Sequence, residues 1–572
     1  MAATSKAGPS RNDWAPLILL CVLVGIWVLI AAAARLGGVD DLGRGWLMVP
    51  FGVLLGKASW QAGATWWLVG LCLALTGASA GAVLGWRRLF RGKGKRTRVD
   101  DAAHLLGRGA AIEPITRTHA QQVATRLGVE AGTPGILIGT STVTGKPVYG
   151  TWEDTQIDIW GPRTGKTTSR AIPAVMDAPG AVVVTSNKRD LTDATRDPRA
   201  NKGNVWVFDS EQVVGETPDW WWPPLSYVAD DTRALRLANH FMFATRKPGD
   251  KGDAYFDDAG RDLLADIMLA AALDAQPVTL VYGWLTQRRN PRPISVLKDA
   301  GYLLQADRLL ESQHMSDRQQ DGVYGTALKA AACLTIRSIM PWINPTGPND
   351  KRPTLNPTQF VTGENTLYSL SREGTGVAAP LVTALTVAVV EAAEKLATTQ
   401  PGGRLATPML CCLDEAANVC KWGALPDLYS HYGSRGIVLL TFLQSWSQGV
   451  DTWGSSGMRK MYSAANIKVY GGGVDEAEFL ENMSKIVGNW DRPTGSTSTN
   501  SGQGGSRSYS TQTTRARILD IEDLAAMPRG RALVIASGAV PSMVNTVPWT
   551  ARPDAPAIAA SIKAHEPAGV TP

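Results

Sequence analysis

The segment GPRTGKTT, at residues 161–168, combines two glycines, a lysine and three threonines. Backbone N–H groups of such a loop, with the N-terminus of a following helix, bind phosphate oxygens. In this arrangement Lys166 can reach the β and γ oxygens of a nucleoside triphosphate, and Thr167 can ligate magnesium. The candidate phosphate-binding residues are Gly161, Pro162, Arg163, Thr164, Gly165, Lys166, Thr167 and Thr168.

The segment departs from the common phosphate-loop pattern G-x-x-x-x-G-K-[ST] at its first position. Where the pattern has glycine, this chain has Trp160, and a glycine follows one place later at Gly161. We expect the departure to be tolerated, because the first glycine mainly eases the turn. Gly165 still allows the backbone to approach a phosphate closely, and Pro162 has a fixed φ that helps to pre-set the loop.

The flanking residues predict the strand–loop–helix context that the motif needs. Before the loop, Ile157 and Ile159 alternate in a short β-prone run, and after it residues 167–178 form a plausible helix. The β-branched run AVVVTSN, at 181–187, is typical of a buried parallel strand, and VWVFD, at 205–209, predicts another.

A second segment, TPMLCCLDEAANV at residues 407–419, predicts a buried strand that ends in two adjacent carboxylates. Asp414 would hold the magnesium ion, and Glu415 would polarise the attacking water. A strand followed by the acidic first turn of a helix is common by itself. Together with the phosphate loop, and in this order, the segment indicates an ATPase that uses ATP and Mg²⁺.

Further strands are predicted at residues 436–445, 466–473 and 530–538. Gln444 lies near the end of the first of them, where it could sense a γ-phosphate or position water. The alternative is an ordinary polar residue that caps a strand.

Composition excludes several classes of protein. The net charge is +6, but residues 1–98 carry +9 and the remainder carries −3, so a large basic face for duplex DNA is not indicated. The six cysteines form no CxxC pair and the six histidines are dispersed, which argues against a disulfide framework and a metal cluster.

Two uncharged runs near the N-terminus, at about 14–34 and 64–86, are long enough to span a bilayer as helices. The basic segment RRLFRGKGKRTR follows the second run directly. The positive-inside rule then predicts a two-pass anchor in the cytoplasmic (inner) membrane, with both termini and the ATPase domain in the cytoplasm. A cleaved signal peptide is the alternative for the first run.

Taken together, these residues resemble the coupling ATPases of type IV secretion and conjugation, the TraG/TraD type. The resemblance runs from about residue 14 to 550 and includes the two spans, GPRTGKT, the Asp-Glu strand, SRGI and LQSWSQ. Family loops often read P-x-R-x-G-K without a leading glycine. Arg163 keeps that register, whereas Pro162 stands one place late.

The resemblance implies residue roles and partners that the spacing alone does not give. Arg435, in SRGI, matches an arginine finger supplied to a neighbouring subunit, and Gln444 matches the sensor glutamine. The family forms a homo-hexamer that couples relaxase-bound single-stranded DNA to the components of a type IV secretion channel. The expected catalytic residues are Lys166, Glu415, Arg435 and Gln444, and the expected metal ligands are Thr167 and Asp414.

We therefore expect an α/β fold: a RecA-like P-loop NTPase domain with an inserted all-α domain and an N-terminal two-helix transmembrane anchor. The expected parts are an anchor at 1–98, the first NTPase part at 99–225, the all-α insertion at 226–360, the second NTPase part at 361–552 and a disordered tail at 553–572. Helical periodicity supports the insertion, which in the family is implicated in substrate recruitment. The apolar stretch 377–397 carries charges in its last third, which favours a buried core helix over a third span.

The Ser/Thr/Gly-rich segment 493–514 predicts a mobile loop, either a disordered connector or a DNA-contacting pore loop. Three alternatives to the main interpretation stay open. They are a double-stranded DNA pump of the FtsK kind, a non-catalytic oligomeric scaffold, and a coupler for protein cargo alone.

Overall fold

The computed structural model describes residues 15–39, 45–90, 97–129, 134–246, 253–372, 377–499 and 507–567. The chain divides into two compact units, at 1–96 and 97–572.

The first unit is helical and consists of α1 (Ala15–Leu36), α2 (Val49–Leu54) and α3 (Ala62–Phe90). A Cβ on Gly37 would lie 2.2 Å from the Ala64 backbone, so the missing side chain lets the end of α1 approach the start of α3. Of the described residues, Ala62–Ser79 is the one stretch long and apolar enough to cross a membrane, and Leu23–Leu36 is a shorter apolar segment. Arg91, Lys93, Lys95 and Arg96 of the basic cluster lie outside the described residues.

The second unit alternates strands and helices. Its first part contains α4 (Arg98–Ala102), α5 (Arg117–Arg126), β1 (Ile136–Ser141), β2 (Pro147–Gly150), β3 (Gln156–Ile159), a π-helical turn (Thr167–Ala171), α6 (Ile172–Asp177), β4 (Val182–Ser186), α7 (Asp190–Ala200) and β5 (Val205–Phe208). A helical segment follows, with α8 (Asp231–Ala244), α9 (Ala254–Leu273), α10 (Thr279–Thr286), α11 (Arg292–Asp299), α12 (Leu303–His314), α13 (Asp317–Ala331), α14 (Met340–Ile343) and α15 (Pro357–Phe360).

The chain then returns to alternating elements. These are β6 (Thr366–Leu370), α16 (Ala379–Thr398), β7 (Met409–Leu413), α17 (Ala416–Val419), α18 (Leu425–Ser434), β8 (Ile437–Leu443), α19 (Trp446–Ala464), β9 (Ile467–Tyr470), α20 (Ala477–Val487), β10 (Asn489–Thr499), β11 (Arg507–Arg517), α21 (Ile521–Ala525), β12 (Arg531–Ala536), β13 (Ser542–Asn545) and α22 (Ala555–His565).

One sheet of eleven strands organises this unit, in the order β2-β1-β13-β12-β9-β3-β8-β7-β4-β6-β5. The seven strands from β9 to β5 run parallel. Four antiparallel strands, β12, β13, β1 and β2, extend one side. The mixed sheet confirms the expected α/β class.

The register of the parallel strands decides where functional side chains can meet. Ile159 of β3 pairs with Leu443 of β8, and Leu413 of β7 pairs with Thr441 of β8. The carboxyl ends of β3, β8 and β7 therefore lie at one edge of the sheet, which is where open α/β folds bind ligands.

The stretch predicted as a buried core helix forms α16, in which most side chains are buried. Its Val/Leu/Ala-rich surface packs inside the second unit, so the interpretation as a core helix is confirmed.

Two sequence predictions are wrong. Of the predicted mobile loop at 493–514, the described residues lie in an antiparallel hairpin, in which Asn489–Thr499 pairs with Arg507–Arg517. The physical reason is that the repeated Thr residues are β-branched and favour an extended backbone, a preference that a compositional test for disorder does not weigh. Residues 500–506 lie outside the described part.

The tail after Pro553 contains a helix, α22, and is not disordered throughout. Ile558 is fully buried against the apolar cluster that includes Val175 and Leu191, and Ser561 Oγ donates to the Asp193 carbonyl at 2.6 Å. The Ala/Pro composition suggested disorder, but α22 docks through Ile558, the partly buried Ile562 and the Ser561 hydrogen bond. Residues 568–572 lie outside the described part.

Candidate active site

The loop between β3 and the π-helical turn has a backbone that only certain residues tolerate. Gly165 has φ +98°, and Arg163 has φ +60°, which is the left-handed region that most residues avoid. A Cβ on Gly161 would lie 1.9 Å from the Gly473 carbonyl oxygen, while the Gly161 N–H donates to the Gly472 carbonyl at 2.9 Å. Glycine is therefore required at 161 by close packing against the 471–473 segment.

Trp160 occupies the position of the missing glycine and serves as a core side chain. It is 1% exposed and belongs to the apolar cluster that includes Val469 and Val534. Its ring lies so close to Gly471 that a Cβ there would be 2.1 Å from Trp160 Cδ2. The Trp160 N–H of the backbone donates to the Leu443 carbonyl at 3.0 Å, which ties the start of the loop to β8.

Lys166 contacts both predicted carboxylates. Its Nζ lies 2.7 Å from Asp414 Oδ1 and 2.5 Å from Glu415 Oε1, and all three side chains are nearly buried. Burial alone would lower the pKa of Lys166, but the charges of Asp414 and Glu415 outweigh burial and raise the pKa above its ordinary value. Lys166 is thus a protonated ammonium clamped between two acids.

Glu415 adopts a strained backbone, with φ +54° in the left-handed region. Such a conformation costs on the order of 1–3 kcal/mol in a residue with a side chain, and it concentrates at functional sites. Its second oxygen, Oε2, accepts a hydrogen bond from Gln444 Nε2 at 2.8 Å. The carboxylate is therefore fixed from two sides, by Lys166 and by Gln444.

Two residues that the sequence did not single out hold Asp414. Thr185 Oγ1 donates to the Asp414 carbonyl at 3.1 Å, and Ser186 Oγ donates to Asp414 Oδ2 at 3.4 Å. Both come from the carboxyl end of β4, which neighbours β7 in the sheet. The only signal in the sequence was their place at the end of a predicted buried strand.

A buried ion pair, also missed, anchors the helical turn that follows the loop. Arg170 Nε donates to Asp158 Oδ2 at 2.7 Å, and neither side chain is exposed. Arg170 also donates to Gln156 Oε1 at 2.8 Å and to the Leu137 carbonyl at 2.6 Å. The sequence did contain a signal for this ion pair: Asp158 lies inside an apolar strand, and a buried carboxylate needs a cationic partner.

Two threonines of the loop donate hydrogen bonds to backbone carbonyls of the same loop. Thr164 Oγ1 donates to the Gly161 carbonyl, and Thr168 Oγ1 donates to the Gly165 carbonyl at 3.1 Å. Thr167 begins the π-helical turn directly after Lys166, and π-turns occur often at functional sites. Arg163 is exposed beside Pro162.

Arg435 does not join this cluster. Arg435 precedes β8, whereas Gln444 follows this strand. The seven residues of β8 therefore separate Arg435 from Gln444 by about 23 Å, at ~3.3 Å per residue. Arg435 Nη1 donates to the Gly403 carbonyl at 2.9 Å, at the opposite edge of the sheet.

The family model described as "Type IV secretory system Conjugative DNA transfer" matches residues 137–292, and the model "TraM recognition site of TraD and TraG" matches residues 408–529. No curated protein sequence matches the chain.

Several solved structures of one protein share the fold. The bacterial conjugative coupling protein TrwBdeltaN70 in its unbound monoclinic form has TM-score 0.54 and 16% identity, over 72% of this chain and 88% of that one. TrwB in complex with ADP and Mg²⁺ has TM-score 0.52 and 16% identity, over 72% and 89%. TrwB in complex with the ATP analogue ADPNP has TM-score 0.51 and 16% identity, over 69% and 86%.

The two family models cover the phosphate loop and the Asp-Glu strand, which are the segments that the fold brings together around Lys166. At these two segments the chain matches the type IV coupling protein family.

Proposed function

We propose that this protein is a membrane-anchored ATPase that couples relaxase-bound single-stranded DNA to a type IV secretion channel during conjugation. The observation that carries the proposal is the buried contact of Lys166 with Asp414 and Glu415. It unites the two motifs needed for ATP hydrolysis in a chain whose family model describes conjugative DNA transfer.

The residues present fit ATP and magnesium. Gly165 takes a positive φ, which lets the loop backbone curve around phosphate oxygens. Lys166 supplies a charged donor for those oxygens, and the carboxylate of Asp414 and the hydroxyl of Thr167 are the oxygen ligands that Mg²⁺ prefers. Bound magnesium would neutralise charge on the β and γ oxygens.

Glu415 is the residue that orients the attacking water. Its carboxylate lies beside Asp414 and is oriented by Gln444, so a water held by Glu415 would face the γ-phosphate position. Gln444 is joined directly to β8 and reports a change at Glu415 to the segment that follows. This is the sensor role expected of it.

Arg435 acts on a neighbouring subunit. Its position at the opposite edge of the sheet from Lys166 prevents a role in its own site, while in a ring such an edge can face the site of the next subunit. An arginine finger of this kind contributes on the order of 10³–10⁵ in rate. A mixture of Arg435→Ala and Lys166→Ala subunits should therefore regain turnover that neither variant has alone, and no recovery on mixing would contradict the hexameric arrangement.

The first unit is a two-pass anchor in the cytoplasmic membrane, with both termini and the second unit in the cytoplasm. The helices α1 and α3 and the basic residues after Phe90 support this topology. A phosphatase reporter active only outside the cytoplasm should be active when fused at Lys57 and inactive when fused at Thr97. The opposite pattern would contradict it.

Transfer of DNA from donor cells tests the function as a whole. Lys166→Ala should abolish both ATP turnover and DNA transfer, while membrane insertion is retained. Cross-linking in the donor cells then identifies the cargo: DNA together with a relaxase supports the proposal, and protein without DNA would replace it with a protein-only coupler.

A further inference from the structure

A cavity of about 500 Å³ lies between α19 and α20, and three aromatic rings line it. Trp446 stacks on Phe479, with ring centroids 5.7 Å apart and an interplanar angle of 21°. Tyr462 meets Trp446 edge-on, at 5.2 Å and 79°. No step of ATP hydrolysis uses these rings.

A kink in α19 shapes this cavity. Gly454 has φ +72° and ψ 164° inside the helix, which splits α19 into two halves. Trp446 and Val450 of the first half line the cavity, and Arg459 and Tyr462 of the second half line it as well. A straight helix could not present both sets to one space, so the glycine is a structural requirement of the cavity.

The cavity wall carries one cation, Arg459, and two carboxylates, Glu476 and Glu478. Arg459 is exposed, and a second cation lies nearby, because Lys468 Nζ is 5.7 Å from the centre of the Tyr462 ring. The Glu476 carboxylate is already hydrogen-bonded, because it accepts the backbone N–H groups of Trp446 and Ser447 at 2.7 and 2.8 Å. Glu478 is exposed at the rim.

The cavity is joined to the hydrolysis site through a few covalent and hydrogen bonds. Gln444 contacts Glu415, and Trp446 is only two residues further along the chain. Gln448 Oε1 accepts the Gln444 N–H at 2.9 Å, and Glu476 ties the start of α19 to the start of α20. A shift of Gln444 therefore moves both walls of the cavity.

We propose that this aromatic cavity receives an unstacked base of single-stranded DNA, and that base occupancy is linked to hydrolysis through Trp446 and Gln444. Aromatic side chains with nearby cations bind single strands without sequence preference, because every base has a π-face. The inference rests on the proposed function, since it assigns the place where the DNA cargo meets the motor. An apolar protein segment seated against Ile486, which is 50% exposed, is the competing occupant.

The test uses the full chain in detergent with oligo(dT) as the probe. Ultraviolet cross-linking followed by peptide mapping should find thymine attached within 446–462 or 478–486. Trp446→Leu, which keeps apolar volume but removes the π-face, should weaken oligo(dT) binding about 5- to 100-fold and remove DNA stimulation of ATP turnover. Trp446→Phe, which keeps a π-face, should retain most of both.

A matched pair of charge variants covers the case in which Trp446→Leu fails to fold. Arg459→Ala should reduce the salt slope of binding by about 0.7, the value for one phosphate contact on a single strand. Lys485→Ala, on the same α20 surface but paired with Glu481 and outside the cavity, should leave the slope unchanged.

Cross-links confined to other segments, or equal oligo(dT) affinity in wild type and Trp446→Leu, would overturn the inference. Loss of transfer in Trp446→Leu with unchanged DNA binding would assign the cavity to a protein segment instead. Absence of ATP turnover in the wild-type protein would contradict the proposed function, while the cross-link map would still decide whether DNA enters the cavity.

Discussion

Restoring the usual phosphate-loop glycine should damage this protein. We predict that Trp160→Gly lowers stability, because the Trp160 ring packs in the core against Gly471. Nucleotide affinity should be unchanged, because Trp160 precedes the phosphate-binding residues 161–168. Replacement of a buried Trp by Ala costs about 3–5 kcal/mol, and glycine adds about 0.5–1 kcal/mol of backbone entropy. The indole N–H has no hydrogen-bond partner, so its removal returns about 1 kcal/mol.

The net expectation is a loss of about 4 kcal/mol. The unit at 97–572 has an unfolding entropy of about 1 kcal/mol/K, at ~2.1 cal/mol/K per residue, so cooperative melting should shift down by about 4 °C. Differential scanning calorimetry measures the shift, and isothermal titration with ADP measures the affinity. Trp160→Phe, which keeps a ring, is the matched control and should melt within about 1–2 °C of wild type.

A double-mutant cycle isolates the contact. Gly471→Ala should be costly in the wild type, where its Cβ would overlap the Trp160 ring, and nearly neutral in a Trp160→Ala background. Additive effects, or at least tenfold tighter ADP binding by Trp160→Gly, would refute the reasoning that position 160 belongs to the core.

Three further predictions concern groups away from the phosphates. His240 is buried beside Arg236, and burial first and that charge second lower its pKa to about 4, so the folded state resists protonation. Stability should therefore fall as pH decreases from about 6.5 to about 4, by about 3 kcal/mol, and His240→Gln should flatten this part of the melting profile. Arg170→Met should cost about 3–5 kcal/mol by leaving Asp158 buried and unpaired, and adding Asp158→Leu should recover most of the loss; equal melting of the single and double variants would argue against the pair. Deleting 553–572 should lower the melting temperature because α22 is lost, whereas deleting 568–572 should not, and equal melting of the two truncations would show that α22 does not stabilise the unit.

Most of the parallel strands were predictable because they are short, largely apolar runs bounded by turn residues. The loop at 161–168 and the acids 414–415 were likewise predictable, because the chemistry needs those residue types at the ends of strands. The loop and the two acids lie close together because β3, β8 and β7 run parallel and their carboxyl ends lie at one edge of the sheet.

The parts that the sequence did not reveal depend on partners distant along the chain. Arg170 contacts Asp158 only when the turn after the loop packs on β3. Ser186 contacts Asp414 only because β4 and β7 are neighbours in the sheet. The hairpin of β10 and β11 was hidden because Ser and Thr are common both in disordered segments and on exposed strands. The role of Trp160 was hidden because its partner, Gly471, lies more than 300 residues away.

Hydrolysis and binding of ATP by Glu415→Gln test the central claim most directly. Glutamine keeps the size of the side chain and its contact with Gln444 but removes the charge that polarises water. The account predicts that this variant binds ATP and Mg²⁺ as tightly as wild type and turns over at least about 100-fold more slowly. Turnover at the wild-type rate would contradict the assignment of Lys166, Asp414 and Glu415 as the hydrolysis site.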